Sequence, residues 1–215
     1  MWLSLMLACA PVRDPAVPQH SELLRLEEDS LWTGDGVQYD WPESQEYALN
    51  YDFSRRRIAR NRALGGLRDE VQLDIGAGVM ATDVMAVAES ACRDGGLCRL
   101  WLRVDGQRAV GPLHVPARPG RYDQRWMVWL RPDDVVIGRI RWGIPARECL
   151  FISHEELART LPALPRDPAQ VVLSIADGVT GQQLVDAAAL AARRDTPSVL
   201  LWSGMAEWPA WCRPD

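Results

Sequence analysis

The sequence predicts an α+β protein made of two repeated units, each a hairpin, a helix, a strand, a second helix and a last strand, with the helices packed on one face of a small sheet. Three observations lead there. Sliding the chain against itself by 100 positions aligns Val71-Gln72-Leu73-Asp74-Ile75-Gly76-Ala77-Gly78-Val79 with Val171-Val172-Leu173-Ser174-Ile175-Ala176-Asp177-Gly178-Val179 without a gap. The likeness continues through Ala88/Ala188, Ala91/Ala191, Arg93/Arg193 and Leu100/Leu200. In both copies the odd positions of the first segment are apolar, the period of a strand, and the segment that follows repeats its apolar positions every three or four residues, the period of a helix.

The elements follow in order. In the first unit, Ser54 is suited to cap a helix over the arginine-rich segment that follows, and Val71–Ile75 is a strand. Val84, Val87, Ala88 and Ala91 then line one helical face, and Leu97–Val104 alternates again before Asp105-Gly106 offers a hairpin turn into Gln107–Val110. In the second unit, Trp126–Arg131 and Val135–Trp142 form a hairpin around Pro132-Asp133-Asp134. Ser153-His154-Glu155-Glu156 is a capping box, so a helix runs from about His154 to Leu161. Val171–Ile175, the helix bearing Leu184, Ala187, Ala188 and Ala191, and the strand Val199–Trp202 complete the unit. The resulting boundaries are a signal-like segment 1–9, a polar tail 10–30, a first unit 31–116, a linker 117–125, a second unit 126–204 and a C-terminal tail 205–215.

Composition narrows the function. The 215 residues are 47% hydrophobic and carry 24 basic side chains, all Arg, against 29 acidic ones, for a net charge of −5. A general nucleic-acid binder carries a basic excess, so no nucleic-acid partner is expected. Met1–Cys9 (MWLSLMLAC) is an apolar run closing on Leu7-Ala8-Cys9, like the end of a bacterial lipoprotein signal, which makes Cys9 a lipidation site and the protein periplasmic and membrane-anchored. A buried N-terminal strand or helix in a cytoplasmic protein is the alternative. With Cys9 set aside, Cys92, Cys98, Cys149 and Cys212 remain as disulfide candidates, an even number suited to an oxidising compartment. Cys92 and Cys98 flank a short helix-to-strand loop and form one expected pair, leaving Cys149 with Cys212. No His/Cys grouping has zinc spacing, so no metal is expected.

The second unit resembles the periplasmic domain of the ExbD/TolR biopolymer-transport family over Ile152-Ser153-His154-Glu155-Glu156-Leu157, the strand and acidic turn Val171–Val179 with Asp177, the helix start Leu184-Val185-Asp186-Ala187, and Val199-Leu200-Leu201. The likeness covers residues 126–203 and, more faintly, 31–104. It implies a non-catalytic envelope module that binds or scaffolds, with an envelope protein or cell-wall polymer as partner and no cofactor. Family members also carry a membrane helix with a proton-relaying Asp. This chain shows no such helix, so energy transduction is not implied. Because family domains work as dimers, the duplication implies a pseudo-dimer within one chain, able to self-associate.

Two sharper readings stand beside this one. Leu73-Asp74-Ile75-Gly76-Ala77-Gly78 looks like the first motif of S-adenosylmethionine-dependent methyltransferases, but Met80 stands where a third Gly is usual and the second unit has Ile175-Ala176-Asp177-Gly178 at the same turn. A strand-to-helix connection shared by both units explains the glycines more simply, and no catalytic residue is assigned. Arg55, Arg56, Arg57, Arg60 and Arg62 crowd the first helix, where positive charge opposes the dipole. Acidic neighbours among Glu27, Glu28, Asp29, Glu43 and Glu46 are the simple explanation, and an anionic lipid or polymer is the other. His20, His114 and His154 read as surface residues, and Trp202, Trp208 and Trp211 as packing for the last strand and tail.

Overall fold

The computed structural model describes residues 13–43, 52–63, 70–92, 97–116, 125–140, 149–165, 171–193 and 199–202. The first unit contains β1 (Glu22–Leu26), β2 (Ser30–Thr33), β3 (Gln38–Asp40), α1 (Phe53–Ala63), β4 (Glu70–Ile75), α2 (Ala81–Ala91), β5 (Leu97–Val104) and β6 (Val110–Pro116). The second contains β7 (Arg125–Leu130), β8 (Val135–Ile140), β9 (Cys149–Ile152), α3 (His154–Ala163), β10 (Val171–Ile175), α4 (Gly181–Ala192) and β11 (Val199–Trp202). The predicted class holds: two sheet-and-helix units of mixed α+β content, with the helices on one face.

Strand order is β3-β2-β1-β4-β5-β6-β11-β10-β7-β8-β9. Each unit therefore opens with an antiparallel three-stranded meander and adds two strands parallel to the meander's first strand. The expected hairpin is thus extended by one short strand. The first unit also starts earlier than residue 31, because β1 lies inside the segment read as a polar tail. The extra strand β6 pairs antiparallel with β5 and parallel with β11, so it joins the two halves into one sheet. Along one row of this sheet stand Val71, Leu100, Leu113, Val199 and Val171, which sets the equivalent residues Val71 and Val171 at the same level.

Residues of alternate parity face the helices and form a single apolar core. Leu24, Leu73, Leu102, Leu113, Val128, Leu130, Ile137 and Leu173 meet Val84, Ala88, Leu157, Leu161, Leu184 and Ala188 from the helices. The small residues of α2 and α4 allow close packing. α2 lies against β4 and α4, while α4 lies against α3 and reaches β5, β6, β10 and β11.

Capping explains where the helices begin. Ser153 and Glu156 make the predicted box on α3, and Thr180 with Gln183 makes a second on α4 that went unpredicted. α1 begins at Phe53, so Ser54 lies inside its first turn and not at the cap position expected for it. At α2 the N-cap is Met80, which has no side-chain acceptor to offer. That helix is started instead by the other unit: the Ala81 amide donates to the Val179 carbonyl at 2.8 Å, and the Gly181 amide donates to the Val79 carbonyl at 2.7 Å. Met80 and Thr180 form an antiparallel bridge between these bonds. The residue numbers in the two bonds differ by 100 on both sides, so the turns meet in the reciprocal manner of an isologous contact.

Space at this contact is tight. A Cβ on Gly181 would lie 2.8 Å from Ile75 Cγ2 and 3.1 Å from the Val79 oxygen. Gly181→Val is predicted to destabilise the protein by about 1–3 kcal/mol through overpacking, read as a lower urea midpoint. A substitution at exposed Asp177, four residues away, should move that midpoint by no more than about 0.5 kcal/mol.

Candidate functional site

Three places gather the polar side chains: the twin strand-to-helix turns, the sheet face opposite the helices in the first unit, and a groove beside α1.

At the twin turns, bonds recur at equivalent positions. The Gly76 amide donates to the Leu26 carbonyl and the Ala176 amide to the Leu130 carbonyl, both at 2.9 Å, and the Val79 and Val179 amides close back on Gly76 and Ala176. Each turn is also covered by the β-turn of its own meander. In the first unit, a Cβ on Gly76 or Gly78 would collide with the carboxylate of Glu27 or Glu28. In the second, a Cβ on Gly178, whose φ is +87°, would lie 2.7 Å from Pro132 Cγ. That meander turn is tied down further. His154 Nε2 lies 2.7 Å from the Arg131 carbonyl, a contact that requires the proton on Nε2, and the Gln183 amide donates to the Pro132 carbonyl at 3.1 Å. Arg131 is held by Asp134, whose hydrogen bond raises the guanidinium pKa above its ordinary value.

These contacts bear on the glycine motif. A cofactor cradle needs backbone amides and an open glycine surface. Here a helix-start amide is taken by Val179, and two carboxylates lie over the glycines. The shared turn is a junction between the units.

On the helix-free face of the first unit, β4 offers Glu70, Gln72 and Asp74 at the even positions, where alternation predicts exposure. All three are buried. Asp74 receives a bidentate pair of bonds from Arg103, its register partner on β5, and the side chains are 4% and 10% exposed. The Gln72 side-chain amide donates to Asp74 at 2.8 Å and its oxygen accepts the Asp14 amide at 2.8 Å. Glu70 faces His20 on one oxygen and accepts from Arg99 at 3.0 Å on the other, and the Arg99 guanidinium sits 5.6 Å from the centre of the Trp101 ring.

The cover over this layer is the segment from Arg13 to Ser21. Arg13 donates to the Pro18 and Ser21 carbonyls, which folds the segment on itself. Val17 is buried, and Asp14 accepts the amides of Ala16 at 2.8 Å and Ala109 at 2.9 Å. Burial opposes ionisation of Asp14, but those two bonds and the charges of Arg103 and Arg108 outweigh it and hold the carboxyl below its ordinary pKa. Half of the presumed tail is therefore a strap bound to the sheet. His20 and His154 have partners of their own and are not the plain surface residues expected.

The groove beside α1 has a volume of about 470 Å³ and is walled by Arg13, Glu22, Asp35, Arg56 and Ala59. Arg56 pairs with Asp35 and Asp52, each at 2.7 Å, and Tyr39 donates to Asp52. Burial lowers the Arg56 pKa, but bonds to these two carboxylates outweigh it and the net shift is upward. Among the described residues the acids that answer Arg56 are thus Asp35 and Asp52, not Glu27, Glu28, Asp29 or Glu43; Glu46 lies outside the described residues. Arg55 and Arg62 are exposed. Arg57 and Arg60 belong to α1, but their side chains lie outside the described ones.

Cys92 and Cys98 are bonded, with Cα atoms 5.3 Å apart. Cys149 is also disulfide-bonded, and its expected partner Cys212 lies outside the described residues, as do Cys9, the linker residues 117–124 and the tail with Trp208 and Trp211. Among the described residues no group of three His, Cys, Asp or Glu could hold a metal, and no helix is long and apolar enough to cross a membrane.

No family model matches the chain, and no curated protein matches it. Among solved structures, a protein from Bacteroides thetaiotaomicron VPI-5482, described as having an actin-like ATPase fold and unknown function, is similar at 8% identity over 85% of this chain and 90% of its own, with a TM-score of 0.28. At that score the likeness says nothing of this chain's activity.

Two outcomes follow from the polar layer. Asp74→Ala leaves Arg103 buried without its partner and should cost about 3–5 kcal/mol in denaturant titrations, whereas the pair Asp74→Leu with Arg103→Met should cost much less. For Asp14 the sign is set by its depressed pKa: its contribution is full above the ordinary carboxylate range and is lost as pH falls through the lower folded value. Asp14→Asn should therefore flatten that part of the acid stability profile, and should raise amide exchange at Ala16 and Ala109, whose amides the carboxylate accepts.

Proposed function

We propose that this protein is a non-catalytic binding or scaffolding module of the bacterial envelope, lipid-anchored at Cys9 and facing the periplasm. One observation carries the reading. Cys92 and Cys98 are cross-linked and Cys149 is disulfide-bonded as well. Such bonds persist in oxidising compartments and are uncommon in the cytosol. An apolar N-terminal run that ends on Leu7-Ala8-Cys9 agrees with the same compartment.

The non-catalytic part rests on what the repeated turns do. A turn that carried chemistry in one copy would be open to a ligand, but both copies are closed by their own meander and by each other. The pair acts as a pseudo-dimer fused in one chain, a rigid body suited to present surfaces to an envelope protein or to cell-wall polymer. Kinship with the periplasmic part of ExbD/TolR is proposed on the motif residues of the second unit, without the proton relay.

Mass spectrometry of the protein from its native envelope tests the reading. A diacylglyceryl thioether on Cys9 and no alkylation of Cys92, Cys98, Cys149 or Cys212 before reduction are expected; an unprocessed N-terminus with reactive thiols would overturn it. Replacing Cys92 and Cys98 together by Ala should lower stability by about 2 kcal/mol, and reductant should not destabilise that variant at this loop further.

A further inference from the structure

We infer that the C-terminal segment 203–215 docks across the helix-free face of the second unit and is clamped there by a disulfide between Cys149 and Cys212. Met127, Trp129, Val136, Val172 and Ser174 are all buried, yet none belongs to the core beneath the helices. They are register partners on β7, β8 and β10 and share the opposite face. Apolar side chains are kept from water only by something packed on them. The described helices lie on the other side, and the bonds of the N-terminal strap go to Gln72, Ala109 and Glu70 in the first unit.

The sulfur of Cys149 identifies the cover. A Cβ on Gly138 would lie 3.2 Å from the Trp129 ring and 3.5 Å from Cys149 Sγ, so this sulfur points onto the same face. Cys149 is disulfide-bonded and Cys92 is joined to Cys98, so among the five cysteines its partner is Cys9 or Cys212. Reach decides between them. β4 and β9 stand seven strand spacings apart in the sheet, about 34 Å. Cys9 precedes Asp14, whose amide is bonded to Gln72 on β4, by five residues, which extend at most about 18 Å. That falls short even after adding the roughly 4.4–6.8 Å between the Cα atoms of a disulfide. Cys212 follows Trp202, the end of β11, by ten residues, up to about 34 Å of chain, and β11 is only four spacings from β9, about 19 Å. The segment also brings Trp208 and Trp211, large apolar surfaces suited to Trp129 and Met127. The strap closes the helix-free face of the first unit in the same manner, so each unit is covered by its own end of the chain. The inference does not depend on a lipid at Cys9.

Digestion of the native, unreduced chain followed by mass spectrometry tests the clamp, and peroxide oxidation of Met127 tests the cover. A linked peptide holding Cys149 and Cys212 is expected; a Cys149–Cys9 link, a link to a second copy or a free Cys149 thiol overturns the inference. Met127 should resist peroxide in the native chain and oxidise about tenfold faster in Cys212→Ser, while Met85, buried on the helix side, stays protected in both. Met127 reactive in the native chain, or equally protected in Cys212→Ser and in the combined Trp208→Ser and Trp211→Ser variant, means a different cover and overturns the inference. Should Cys212→Ser unfold, so that Met85 reacts as well, the link and the Met127 protection measured on the native chain decide.

Discussion

Two crossed hydrogen bonds organise the molecule: Ala81 to Val179 and Gly181 to Val79. Each takes an amide at the start of one helix and gives it to a carbonyl that ends the other unit's turn. A net contribution of about 1 kcal/mol per bond is ordinary. Their effect on arrangement is larger, because an antiparallel bridge at Met80 and Thr180 fixes both the distance and the direction of the two turns. With those turns locked, α2 and α4 must lie side by side, and the strands before them must be joined by an element that fills the gap between the two sheets. β6 is that element, antiparallel to its own unit and parallel to the other.

The second constraint is electrostatic. An acid and an arginine stand opposite each other twice on β4 and β5, at Glu70/Arg99, where Arg99 stays half exposed, and at Asp74/Arg103, which is buried beside the N-terminal strap. Burying such pairs contributes little net stability, since desolvation offsets attraction. What it does contribute is selectivity. A strap displaced by one residue would take the Asp14 carboxylate away from the Ala109 amide and leave the Gln72 side-chain oxygen without its donor, the Asp14 amide. The second unit has Val172 and Ser174 at the corresponding sites, so the repeat kept its backbone while one copy acquired a polar face.

Much of this was legible in the sequence. β4, β10, α2 and α4 were readable because alternation, helical spacing and the repeat agreed on them, and the α3 boundary because Ser153 and Glu156 form a box. Other elements were hidden for physical reasons. β3 and β9 are too short to display a period, and β1 lies in a segment where Arg25 and the flanking acids mask three leucines. The buried polar face was missed because alternation treats even positions as solvent. The signal was there in the complementary charges of β4 and β5, once the two strands are aligned in parallel. The partners of Arg56 were misjudged: the runs of acids drew attention to Glu27, Glu28 and Asp29, whereas the actual partners are single acids, Asp52 just before the helix and Asp35 from a turn distant in sequence.

The outermost strands have a consequence for solubility. Among the described residues this sheet ends on β3 and β9, and the outer strand of an open sheet is the usual seed for stacking into fibrils. β3 has three residues with Gln38 and Asp40 turned outward, and β9 has four and is cross-linked at Cys149. Such brief rungs offer a neighbouring molecule too few contacts to extend the sheet, so crowding at a surface need not lead to polymerisation.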